Sequence, residues 1–297
     1  MPVQSKMAMV ACEAWPDLND DWPVLAAALT RRGVTAQVEV WTDRTVDWES
    51  YDLVVVRGTW DYVGRLSEFR HWVGRVGAKT GGRAGGRLVN SAPAILWNLD
   101  KAYLNDLSAA GVPVVATTWV KPGHAWTAPA GEYVVKPSVS LGSLETARYR
   151  PGEDADAARH VQRLLDAGRV VMVQPFYASV EDEGEASLVY LGGRFSHATR
   201  KAPLLEPGAG VRDDLGPRQR VFPLVVASAH RRVADAAVAA CEDRIGRLDY
   251  ARVDLFLGEG GRWLVNEVEL VEPWLFLAYA EGAADRFADV LASLLPS

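Results

Sequence analysis

The sequence predicts a parallel α/β unit at the N-terminus followed by two α+β units. Three observations carry that prediction: strand, helix and strand alternate before residue 60, the pattern changes to short strands around one amphipathic helix after residue 113, and two Gly-punctuated hairpin signals follow. In the first unit, Met7 to Cys12, Val34 to Trp41 and Leu53 to Val56 are short apolar and β-branched runs, with Leu88-Val89 as a fourth. Trp22, Leu25, Ala26 and Leu29 fall at helical spacing, and Arg31-Arg32-Gly33 gives a basic last turn with a glycine stop. Open parallel sheets bind ligands beyond the carboxyl ends of their strands, which is where Arg57-Gly58-Thr59-Trp60-Asp61-Tyr62 falls. Arg57 and Asp61 there either face substrate or pair with each other beside packed aromatics. Gly77 to Arg87 is glycine-rich and basic but lacks the Walker spacing, so it reads as a flexible surface loop.

The second pattern has strands at Val114 to Val120, Glu132 to Lys136, Leu144 to Tyr149 and Val170 to Phe176, with a helix at Ala155 to Ala167. In the third, Ser187 to Leu191 and Arg194 to Thr199 flank Gly192-Gly193, and Ala251 to Leu257 and Trp263 to Leu270 flank Gly258 to Gly261. Helices are expected at Ser228 to Arg244 and Glu281 to Leu294.

With 297 residues, 49% hydrophobic by count and a net charge of -6, the chain has the balance of a folded globular protein rather than a disordered one. An acidic chain lacks the basic footprint of a nucleic-acid binder, so no nucleic-acid partner is expected, although a few lysines suffice for a nucleotide. Cys12 and Cys241 lie in apolar runs without metal-ligand spacing, as expected of buried thiols in a reducing compartment. There is no apolar leader and no membrane-length run, so the expectation is a cytoplasmic protein with no membrane partner. The tryptophan-rich first unit serves as a core or as an interface, which leaves a homodimer open.

The final hairpin is the most informative segment. Alternation puts Asp254 on a face with Arg252, and Glu267 on a face with Glu269, inside otherwise apolar strands. Carboxylates so placed need a cation, and Arg252 is the sole local candidate, so a divalent cation such as Mg2+ is one answer; a solvated hairpin face is the other. Upstream, Lys101 follows Asn98-Leu99-Asp100, and Lys136 ends a strand before Ser138-Val139-Ser140-Leu141-Gly142-Ser143, a small-residue loop suited to wrapping phosphate oxygens. Gln174-Pro175-Phe176 ends an apolar strand with a polar group and a ring, an edge that suits adenine, and Glu185 offers a carboxylate for ribose hydroxyls.

In order and spacing, Asn98 to Lys101, Val135-Lys136-Pro137, Val173 to Phe176, Gly184 to Ser187, Arg252-Val253-Asp254 and Asn266 to Glu269 resemble the ATP-grasp superfamily. The resemblance implies an ATP-grasp fold: a Rossmann-like pre-ATP-grasp unit over residues 1–96, a central α+β subdomain over 97–176 and a C-terminal α+β subdomain over 177–297 carrying the metal site. It further implies that Lys101, Lys136 and the loop containing Ser140, Gly142 and Ser143 hold ATP phosphates. Gln174, Pro175 and Phe176 would hold the adenine edge and Glu185 the ribose. Asp254 and Glu267 would hold Mg2+, and Arg252 would steady the transferred phosphate. Glu269 stands at the last metal-ligand position, where amino-acid ligases of the superfamily commonly have Asn, and is the third candidate metal ligand. The runs Arg57 to Tyr62, Trp97 to Leu104, Phe195 to Lys201 and Val265 to Pro273 resemble, within the superfamily, the group containing the O-ureido-serine cyclo-ligase of cycloserine biosynthesis. The implied activity is ATP-dependent carbon-nitrogen ligation of a small amino-acid-like carboxylate through an acylphosphate, with Arg200 or Lys201 assisting charge neutralisation. A small-molecule kinase and a non-catalytic nucleotide-binding module are the rival expectations. His197 is either a substrate-facing base or a satisfied structural histidine, the latter being favoured.

Overall fold

A computed structural model of the chain describes residues 5–78, 87–206, 208–213 and 219–296. Residues 79–86, the bulk of the glycine-rich stretch, lie outside the described residues. The N-terminal unit runs β1 (Lys6–Ala11), α1 (Asp21–Arg31), β2 (Thr35–Val40), β3 (Leu53–Gly58), α2 (Leu66–Gly77) and β4 (Arg87–Val89). Its strands form a parallel sheet in the order β2-β1-β3-β4. Both faces are covered, which is why β3 is buried at every position and reads as a continuous apolar run rather than an alternation. Helix α2 was not anticipated, yet Phe69, Trp72, Val73 and Val76 give it a buried stripe at helical spacing. Trp41, Trp48 and Trp72 pack edge to face under it and are core, not interface.

The chain continues through α3 (Ala92–Asn98), α4 (Tyr103–Ala109), β5 (Thr118–Val120), β6 (Tyr133–Pro137), β7 (Ala147–Tyr149), α5 (Asp154–Asp166), β8 (Val171–Pro175) and α6 (Ser179–Glu183). The second sheet is antiparallel, ordered β5-β8-β6-β7, with Ala157, Val161 and Leu164 of α5 packed on it. Two expected strands are shorter than their apolar runs. The run expected to be one strand over 114–120 divides: its start bonds Val265 of the C-terminal sheet (Val115 N to Val265 O 2.9 Å, Val265 N to Pro113 O 2.8 Å), and only Thr118–Val120 joins the central one. In the run from Leu144 the left-handed φ of Ser143 and Glu145 makes a turn, so the strand begins at Ala147.

The last unit contains β9 (Glu185–Leu191), β10 (Arg194–Lys201), β11 (Val221–Pro223), α7 (Ser228–Ile245), β12 (Tyr250–Leu257), β13 (Trp263–Glu269) and α8 (Ala283–Ser293). Its antiparallel sheet runs β11-β10-β9-β12-β13. Leu188, Val253, Leu255 and Val268 of this sheet pack in one apolar cluster with Leu104 and Leu107 of α4 and Ala237 and Val238 of α7. Thus α4 packs with the C-terminal sheet, although the sequence groups it with the central unit. Likewise α8 closes over α1 and the N-terminal sheet in one shared core, so the first and last units are not separable bodies. Asn90, just past β4, ties them: its side chain accepts from Asp249 N at 2.7 Å and donates to Tyr250 O at 2.8 Å and Leu270 O at 3.0 Å. Asn98 does the same for β13, donating to Val268 O and accepting from Leu270 N, both at 2.8 Å. Among the described residues no helix is long and apolar enough to cross a membrane.

Candidate active site

Between the central sheet and the polar face of the C-terminal sheet lies a cavity of about 400 Å³, closed on a third side by loops of the N-terminal unit. Its charged wall follows from strand register. Arg252 pairs with Glu269 and Asp254 with Glu267 across β12 and β13, while Ser187 lies opposite Asp254 and Glu185 opposite Lys201. Register neighbours share a face, so these side chains gather on one side of the sheet. The register slips between Asp254 and Leu255, leaving Asn266 as the extra residue of a bulge, which turns it into the cavity wall beside Glu267.

Sequence reasoning finds Arg252 as the only cation for these carboxylates, and the structure corrects that count. Lys101 Nζ lies 2.9 Å from Glu267 Oε1. Lys201 Nζ lies 2.9 Å from Asp254 Oδ2 and 2.8 Å from Glu185 Oε2. Arg252 grips Asp254 with Nη2 at 2.8 Å and also bonds Glu269. Asp254 accepts a further bond from Ser187 Oγ at 2.6 Å. Burial works against ionisation of Asp254, but Arg252 and Lys201 outweigh it and hold its carboxyl well below the usual range. Burial pushes Glu269 up to about 7, with Arg252 opposing and Glu267 adding to the rise.

The facing wall comes from the central unit. Lys136, at the end of β6, reaches toward Asn266 Oδ1 at 3.4 Å; burial, only partly offset by Glu267, lowers its pKa to about 8. A phosphate beside it would restore the charge that burial disfavours. Lys101 also donates to Ser140 O at 2.5 Å, which anchors the loop in which Gly142 and Ser143 turn through left-handed φ values of 57° and 62°. Gln174 is buried and donates to Thr117 Oγ1 at 2.9 Å; Pro175 and Phe176 follow at the cavity edge, with the Arg148 guanidinium over the Phe176 ring.

Five residues singled out from the sequence sit elsewhere. Arg200 alternates with Lys201 along β10, so it projects from the opposite face, donating to Asp182 O at 3.2 Å beside the Phe222 ring. Arg57 and Asp61 do not pair with each other and neither lines the cavity. Arg57 donates to Pro273 O at 2.7 Å and lies 3.4 Å from Asp21, while Asp61 accepts from Trp41 Nε1 at 2.7 Å. Their loop delivers Trp60 to the cavity instead. His197 contacts Leu275 O at 2.7 Å and Ser196 Oγ at 2.8 Å, and burial lowers its pKa to about 4, so it is a neutral structural imidazole. Asp254 lies beneath the wall rather than in it.

Wall residues to which the sequence assigned no individual role include Asn266, Glu272, Trp274, Phe276 and, from the N-terminal unit, Trp15 and Trp60. The only sequence signal for Glu272 is a lone carboxylate between Val271 and Pro273 in an apolar stretch. Among the described residues no three His, Cys, Asp or Glu side chains already converge as a metal site. Glu267 and Glu269 nevertheless offer partly exposed carboxylate oxygens to a cavity that Lys101, Lys136, Lys201 and Arg252 also line, a donor set that fits a hard divalent ion accompanying phosphates.

Residues 7–90 match the family model described as the N-terminal domain of the D-cycloserine synthetase DcsG. The chain is 38% identical to the cycloserine biosynthesis protein DcsG of Streptomyces lavendulae, over 97% of this chain and 98% of that protein. The crystal structure of D-cycloserine synthetase DcsG superposes with a TM-score of 0.88 at 36% identity, covering 98% of this chain and 100% of that one. The ATP-grasp ligase PsnB, solved with a minimal precursor, Mg and ADP, shares the fold at a TM-score of 0.64 and 17% identity, covering 99% of each chain.

Proposed function

The chain belongs to the D-cycloserine synthetase DcsG family of ATP-grasp ligases, and from that membership we propose that it forms a carbon-nitrogen bond in a small amino-acid-like carboxylate at the cost of ATP, in the manner of an O-ureido-serine cyclo-ligase. The observation that supports this reading is the convergence of Lys101, Lys136, Lys201 and Arg252 with Glu267 and Glu269 on one cavity. In this reading the three sheets correspond to the three expected units, and the nucleotide lies between the last two. Lys101 and Lys136 bind phosphate oxygens with the backbone of the Ser140 to Ser143 loop, Gln174, Pro175 and Phe176 border the adenine, and Glu185 borders the ribose. Arg252, held rigid by Asp254, faces the phosphate being transferred, and Lys201 supports Asp254 rather than reaching the phosphate first.

Mg2+ bound at Glu267 and Glu269 would neutralise phosphate charge, with Asp254 fixing the arginine beside it. The substrate carboxylate attacks the γ-phosphorus, ADP leaves, and a nitrogen of the substrate then displaces phosphate from the acylphosphate. The residues need only align the reactants and neutralise charge; no protein nucleophile takes part. Incubation with ATP, Mg2+ and a panel of small amino acids that includes O-ureido-D-serine should release ADP and phosphate together with a product in which a carbon-nitrogen bond replaces a carboxylate carbon-oxygen bond, that oxygen leaving on phosphate; from O-ureido-D-serine, ring closure with hydrolysis of the carbamoyl group releases carbon dioxide and ammonia as well. Release of AMP and pyrophosphate, or a stable phosphorylated product seen by mass spectrometry, would overturn the reading.

A further inference from the structure

One part of the cavity wall is built from the chain just after β13 and from the loops that leave the carboxyl ends of β1 and β3. It carries Glu272, Trp274 and Phe276 on one side and Trp15 and Trp60, whose rings meet edge to face at 5.4 Å, on the other. Glu272 is 8% exposed. Glu185, Glu267 and Glu269, the other carboxylates of the wall, each hold a lysine or arginine in an ion pair. Glu272 holds none among the described residues; its partner is the phenol of Tyr62, and Lys101, the lysine that bears on it electrostatically, is committed to Glu267 at 2.9 Å.

A buried carboxylate without a cation either takes a proton or waits for a cation from solution. Burial, reinforced by Glu269, raises Glu272 to about 8, so a cation arriving beside it is exchanged for a proton at little cost. The same cavity wall carries the rings of Trp15, Trp60 and Trp274, while the Phe276 ring already lies under the Arg252 guanidinium; an aromatic lining of this kind favours a compact ammonium. A bare metal ion would find one carboxylate and no second oxygen ligand of comparable charge outside the Glu267 and Glu269 pair.

We infer that Glu272 receives the α-ammonium of the substrate, so that the site selects α-amino acids over the same acids lacking the amine. The inference rests on the ligase reading for the position of the substrate. It assigns to Glu272 a binding role that leaves nucleotide affinity alone.

The test pairs two acids that differ only in the amine, O-ureido-D-serine and 3-(ureidooxy)propanoate, with the wild type, Glu272→Gln and the charge-preserving Glu272→Asp. In the wild type, removal of the amine should raise KM on the order of 100-fold, as expected when a buried charge pair is broken. In Glu272→Gln the same removal should change KM by less than about threefold, with the KM for ATP near wild type and no loss of melting temperature, and Glu272→Asp should keep most of the discrimination. Equal discrimination in wild type and Glu272→Gln overturns the inference, as does a wild type indifferent to the amine. If no acid drives ADP release from the wild type, the ligase reading fails. Calorimetric binding of D-cycloserine and of isoxazolidin-3-one, which lacks the amine, to the Mg-ADP complexes of wild type and Glu272→Gln then decides the inference by the same comparison.

Discussion

The C-terminal sheet and the stretch that follows it treat buried carboxylates in opposite ways. Asp254, on β12, is 1% exposed and is surrounded by Arg252, Lys201 and Ser187, so it stays ionised. Glu272, a short distance further along the chain and almost as deeply buried, has among the described residues the Tyr62 phenol and no cation in an ion pair, and burial raises its pKa to about 8. The same chemical group therefore serves two ends. One is a fixed negative point that orients Arg252 and Lys201, which in the proposed reading serve phosphate chemistry, and the other is a carboxylate in the cavity wall with no cation among the described residues. The difference lies in neighbours that strand register supplies to Asp254 and that an irregular stretch does not supply to Glu272.

The largest expected effect comes from removing the organised charge. Asp254→Asn keeps the shape but leaves Lys201 and Arg252 without the anion that orients them. Breaking a buried pair from one side costs about 3 to 5 kcal/mol. We expect kcat/KM to fall at least about 1,000-fold, as for loss of a principal electrostatic element, and urea unfolding to show a loss of about 3 kcal/mol. A variant of wild-type stability would break the comparison, because it would mean that Asp254 is not the hub of the cation cluster.

The second effect has the opposite pH sign. The folded-state pKa of Glu272 is raised above its ordinary value of 4.5, so its protonated form contributes stability that is fully present below that value and is lost as pH rises through 8. Glu272→Gln cannot lose a proton. Its stability relative to wild type should therefore grow between pH 5 and 8.5, by no more than about 4 kcal/mol at the top of the range. For Asp254, whose folded pKa is lowered, stability is instead lost as pH falls. Thermal melts across pH 5 to 8.5 separate the two behaviours, and a flat difference between Glu272→Gln and wild type would refute the asymmetry.

How far the sequence discloses this site depends on how regular the backbone is. The final hairpin was legible because period-two alternation survives along most of β12 and β13, and alternation alone brings Arg252 and Asp254 onto one face. The bulge that turns Asn266 inward leaves no mark in the period, since one extra residue looks like any other. Lys101 was visible as part of a resemblance, but its pairing with Glu267 joins the turn between α3 and α4 to β13, which only the fold brings together. Helices α3 and α4 are short enough that their apolar residues read as scattered, and the run after Pro113 divides between two sheets, which no local signal announces. Arg57 shows a different failure. A charged residue in a ligand-side loop suggested chemistry, whereas its bond to Pro273 O uses it to position the stretch that carries Glu272 and Trp274.

The smallest expected effect tests the face assignment on which the comparison stands. Arg200 and Lys201 are adjacent in sequence and alike in charge, but the register of β10 against β9 sets Lys201 opposite Glu185 on the cavity side and turns Arg200 outward to Asp182 O and the Phe222 ring. A partly exposed arginine with one backbone acceptor contributes little, within about 0.5 kcal/mol, whereas removing Lys201 leaves Asp254 and Glu185 both short of a cation. Arg200→Ala should thus retain kcat/KM within about twofold and unfold at nearly the wild-type midpoint, while Lys201→Ala should resemble Asp254→Asn. If Arg200→Ala were the damaging member of the pair, the cation bound to Asp254 would be the wrong one. The contrast between a neutralised and an unneutralised carboxylate in this cavity would then need a different origin from strand register.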